Sequence, residues 1–105
     1  MSQEEQDLIR IRAWDAYCQA LESFRTHKGK LAAWGNMLAN VGDTLSNRSL
    51  QVSEEDLSKA PTSEEFRTAV REFRHSITTL KRAWIEARDF GFPVDASVPS
   101  QVGGI

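Results

Sequence analysis

Phe66, Val70, Phe73, Ile77, Leu80, Trp84 and Ala87 follow one another at alternating spacings of four and three residues. On an α-helix this spacing places every member on one narrow stripe. The stretch from about 63 to 90 is therefore predicted to be a helix with one apolar edge, made to pack along another helix. A second stripe lies upstream, where Tyr17, Phe24, Leu31, Leu38 and Leu45 are each seven apart. Two long matching stripes in 105 residues predict an all-α fold. Its expected form is a long antiparallel helical hairpin with a coiled-coil-like seam.

Local signals place the ends of these helices. Ser2 followed by Glu4, Glu5 and Asp7 reads as a helix start, with acidic residues favourable in the first turn. Arg25, His27 and Lys28 before Gly29 resemble a helix end, but Lys30 and Leu31 are poor caps for a new start. The heptad phase also runs through Gly29 from Phe24 to Leu31. One helix from about 4 to 47 is expected, bent near Gly29, and a three-helix bundle broken there is the alternative. Ser53 with Asp56 suggests a short helix at 54–59. Thr62 with Glu65 forms a capping box that opens the last helix, and Gly91 followed by Pro93 ends it. The helical domain is expected over 1–92. The stretch 93–105, nearly uncharged and rich in Pro and Gly, is expected to be an extended or disordered tail dispensable for folding.

Composition excludes some classes of function. Thirteen basic and fifteen acidic residues leave a net charge of −2, which argues against bulk electrostatic binding to nucleic acid. One cysteine, Cys18, cannot form an internal disulfide. The polar, acidic start has no signal-peptide pattern, and no apolar run approaches the ~20 residues of a membrane span. A cytoplasmic protein without membrane association is expected.

The flanks of the two stripes carry the functional expectation. With Phe66 at heptad position d, the e positions of the last helix are Arg67, Arg74, Lys81 and Arg88, and the g positions are Ala69, Ser76, Ala83 and Phe90. In the first helix, with Tyr17 at d, the g positions are Ala13, Ala20, His27, Trp34 and Val41. The g flank is thus small or apolar on both helices. A hairpin of this size is expected to cover it by self-association, most simply as a dimer forming a four-helix bundle, with Trp34, Val41 and Phe90 at the interface. The basic stripe meets no acidic stripe on the first helix. Arg67, Arg71, Arg74, Lys81, Arg82 and Arg88 are expected to bind an acidic protein partner, or Glu54, Glu55 and Asp56 of a neighbouring chain. Nucleic acid is a less favoured ligand, because Glu72, Glu86 and Asp89 interrupt the stripe.

Other candidates read as structural. Glu72 and His75 have the i, i+3 spacing of a metal-binding bundle, but they fall away from the seam and have no second copy, so a metal-binding bundle ranks third, behind an interaction module and an anion or nucleic-acid binder. Cys18 has no histidine within a helical turn to activate it and reads as a packing residue. Lys28, at an a position, is expected to snorkel, to stack over an aromatic ring or to specify register. Gly35 and Gly42, costly in a helix interior, are expected where the facing helix approaches closely. No cofactor motif or acid–base constellation is visible. The expectation is a non-enzymatic helical interaction module of adaptor, accessory or inhibitor type.

Overall fold

The computed structural model describes residues 2–46 and 61–105, with side chains described for 2–39 and 61–105. Helix α1 spans Gln3–Ser46, α2 spans Ser63–Asp89, and a short α3 spans Val98–Gln101. Helix α1 is continuous through Gly29, so the three-helix alternative does not hold. Among the described residues there is no strand, and no helix is long and apolar enough to cross a membrane.

The helix ends form as the sequence dictates. The Ser2 hydroxyl accepts from the Glu5 amide at 3.2 Å, capping α1. At the start of α2 the Thr62 hydroxyl oxygen accepts from the Glu65 amide at 3.1 Å and the hydroxyl donates to the Glu65 carboxylate at 3.1 Å. The end of α2 is a Schellman motif: the Gly91 amide donates to the Arg88 carbonyl and the Phe92 amide to the Ala87 carbonyl. Gly91 adopts φ +85°, a conformation that favours glycine.

Helices α1 and α2 pack against each other and run antiparallel. Trp14 meets Phe92, Phe24 stacks on Phe73, and Trp34 meets Phe66, so α1 ascends as α2 descends. The buried face of α1 is Ala13, Tyr17, Ala20 and Phe24; that of α2 is Ala69, Ser76, Leu80, Ala83, Trp84 and Ala87. These are chiefly d and g positions. The small g residues, expected to lie uncovered and to require another copy, are instead enclosed between the two helices. Alanine and serine there leave room for the large d residues Tyr17, Phe24 and Leu80. Ser76 satisfies its hydroxyl by donating to the Phe73 carbonyl at 2.6 Å.

The tail departs from expectation. It is neither extended nor disordered: after Pro93 the chain folds back, forms α3 and seats Val98 and Val102 in the core with Tyr17, Leu80 and Trp84. Asp95 fastens it. Its amide donates to the Tyr17 hydroxyl at 2.9 Å, and its carbonyl accepts from the Trp84 indole N–H at 2.9 Å. Its carboxylate accepts from the Ser97 hydroxyl and amide and lies 3.7 Å from Arg25. The Ser97 hydroxyl, followed by the Ser97 amide, holds the Asp95 carboxyl below its ordinary range; desolvation opposes this, and the Arg25 charge adds a lesser lowering. Valines 94, 98 and 102, spaced by four, are the sequence signal for this docking: Val98 and Val102 are buried and Val94 is half-buried against them.

Close packing does not explain Gly35. A Cβ added there would meet nothing within 4 Å, and the residue is exposed. The side of Gly42, like the side chains of Val41 and Leu45 and the helix expected at 54–59, lies outside the described residues.

Candidate functional site

The architecture leaves its two ends unlike. Helix α1 has 44 residues and α2 has 27, so α1 is longer by about 25 Å at 1.5 Å per residue. At the end where α2 finishes, the tail closes the a-position edge over Trp84. At the end where α2 begins, the described residues provide no such cover. Leu38 is 51% exposed and Phe66 44%. Leu31, Trp34 and Val70 are half-buried beside them.

The basic stripe divides along the same line. Arg88, at the closed end, contacts the Asp89 carboxylate at 3.2 Å and lies over the Trp84 ring at 5.1 Å. Lys81 is half-buried and Arg82 exposed. Arg67, Arg71 and Arg74, at the open end, are exposed and border a shallow hollow of about 350 Å³ floored by Phe66 and Val70. Among the described residues no carboxylate lies within ion-pair distance of these three arginines. Spacings of three and four place them on one flank, which follows from the helical repeat. The hollow thus joins an apolar floor to a cationic rim.

The other residues singled out from the sequence find separate partners. Trp34 lies 6.3 Å from the Phe66 ring and under the Lys30 ammonium at 5.0 Å. Phe90 is the C-cap of α2, half-buried, with its carbonyl accepting from Arg10 at 3.2 Å. Trp34 and Phe90 therefore stand at opposite ends of the hairpin. Lys28 stacks over the Phe24 ring at 5.8 Å, one of the roles expected for it. The apparent cluster of Arg25, His27, Lys28 and Lys30 is dispersed, because neighbours in sequence point to different sides of a continuous helix.

His27 faces α2, with Nδ1 3.8 Å from a Glu72 carboxylate oxygen. Both histidines and Glu72 line a second groove of about 700 Å³ between the helices, together with Ala20, Ser23 and Arg71. Sequence spacing alone did not pair His27 with Glu72, because the contact depends on the register between the helices. No group of three or more His, Cys, Asp or Glu side chains among the described residues is placed to hold a metal ion. Cys18 is exposed and outside the core, which corrects its reading as a packing residue.

No family model matches the chain, and neither a curated protein nor a solved structure shows a significant match to it.

Proposed function

We propose that this chain is a non-enzymatic helical interaction module whose closed end supplies stability and whose open end engages other proteins, copies of itself included. The observation that carries the reading is the hollow of Phe66, Arg67, Val70, Arg71 and Arg74. Its apolar floor gains from desolvation. Its arginines select an acidic partner and hasten encounter. A partner suited to both is an amphipathic helix with apolar residues one turn apart and carboxylates beside them. Self-association is the simplest way for such a chain to shield Leu38 and Phe66, since adjacent exposed apolar groups with a charged rim mark interaction surfaces.

Sedimentation velocity of the full chain over a range of micromolar concentrations tests this. The wild type is expected to associate, and Phe66→Ser to weaken association roughly tenfold, about 1.4 kcal/mol, while helical circular dichroism is retained. A wild-type chain that stays monomeric throughout overturns the self-association reading.

A further inference from the structure

A second exposed apolar pair lies at the other end of the molecule. Leu8 is 46% exposed and Ile11 is 56% exposed. Spacings of four, three and four put Glu4, Leu8, Ile11 and Asp15 on one strip of α1. That strip lies on the side of the helix opposite Ala13, Tyr17, Ala20 and Phe24, which face α2. All four strip residues are exposed. Arg10 is turned away from the strip, donating to the Phe90 carbonyl and lying over the Phe92 ring at 5.7 Å. Exposed Arg12, one turn beyond Leu8, borders the strip, whose own charges are the carboxylates of Glu4 and Asp15. Along that line the edge is acidic and amphipathic, the complement in charge and polarity of the hollow at the open end.

The two surfaces cannot meet within one molecule. Phe66 lies level with Trp34, and 26 residues of unbroken helix separate Leu8 from Trp34. At 1.5 Å per residue that is about 40 Å. We infer that the Glu4–Leu8–Ile11–Asp15 strip of one copy seats on the Phe66–Val70 hollow of a second copy, with its carboxylates against Arg67, Arg71 and Arg74. The inference rests on the self-association proposed above and names the two surfaces that make it. The contact joins unlike surfaces, so it is head-to-tail in kind, and it closes a dimer only where both pairs are used. Leu8 and Ile11 supply the apolar contact. The charges set register and make the association weaken with added salt.

Charge exchange tests the assignment. One variant carries Glu4→Lys and Asp15→Lys; the other carries Arg67→Glu, Arg71→Glu and Arg74→Glu. Each is followed alone and in an equimolar mixture by sedimentation velocity, with circular dichroism to verify folding. Each variant alone is expected to associate roughly tenfold or more weakly than the wild type. The mixture is expected to recover a heterologous complex, because the reversed charges are again complementary. Wild-type association that persists in both variants overturns the assignment while leaving self-association standing. A wild type that never associates overturns both. If the arginine variant loses thermal stability while its association is unchanged, those arginines serve the fold of their own chain, and the assignment is again overturned.

Discussion

Phe24 and Leu38 occupy equivalent heptad positions on one unbroken helix, two heptads apart, yet Phe24 is wholly buried and Leu38 is 51% exposed. The difference lies in what faces them. Phe24 stacks on Phe73 in the paired part of the hairpin. Leu38 lies near the level where α2 begins, since Trp34 is already opposite Phe66. A heptad repeat specifies that a stripe exists, not how far its cover extends. The closed end adds a third layer, in which the tail brings Val98 and Val102 over Trp84. The open end has no counterpart among the described residues. One end of the hairpin thus resembles a small core, whereas at the other Leu38 and Phe66 stay exposed among the described residues.

The broadest expected effect comes from removing the layer that makes the ends unlike. Deleting residues 94–105 strips Val98 and Val102 from the core and leaves the Trp84 indole N–H and the Tyr17 hydroxyl without Asp95. Burial of a valine side chain is worth about 1.5–3 kcal/mol, offset in part by the entropy of ordering the tail. A net loss of about 2–4 kcal/mol is expected, visible as a fall in melting temperature of roughly 10 °C or more. An unchanged melting curve would show that the tail contributes nothing and that the two ends are energetically alike.

The next comparison uses the equivalent pair directly. Phe24→Ala is expected to cost about 3–5 kcal/mol, because it opens a cavity between α1 and α2. Leu38→Ala is expected to change stability by less than about 0.5 kcal/mol, as for a surface site. Urea unfolding under dilute conditions reads both. If Leu38→Ala costs as much as a core truncation at low protein concentration, some other part of the same chain covers it, and the open end is not open.

These pairs also show what the sequence reveals and where it falls silent. The caps at Ser2, Thr62 and Gly91 were legible because each rests on residues within one turn. The stripes were legible because burial imposes a period. Which edge of a stripe joins the partner helix was not, since d residues can be shared with either the a or the g flank. The small residues at g, Ala13, Ala20, Ala69, Ser76 and Ala83, were the clue: they read as an uncovered flank but suit an enclosed one. The tail was obscure because its bond from Asp95 to Tyr17 spans 78 positions of sequence and leaves no local trace beyond the valine spacing. Arg67, Arg71 and Arg74 were legible as a basic flank, but their separation from Arg88, which contacts Asp89 and Trp84, required the fold.

Gly35 gives a small expected effect and a sharp one, because its sign differs between the two accounts of the open end. In the isolated chain nothing lies within 4 Å of the position a Cβ would take. Alanine there should then act only through the backbone, stabilising an exposed helix interior by about 0.5–1 kcal/mol. Gly91→Ala, where φ is +85°, should instead destabilise by about 1–2 kcal/mol. Close approach by another helix reverses the sign at Gly35, since an added methyl must then displace its neighbour. Urea midpoints of Gly35→Ala measured at dilute and at associating concentrations separate these cases. Stabilisation at both concentrations leaves Gly35 clear of any contact between copies. A gain when dilute that turns to a loss on association would place Gly35 inside that contact, and extend the interacting surface along α1 beyond Trp34.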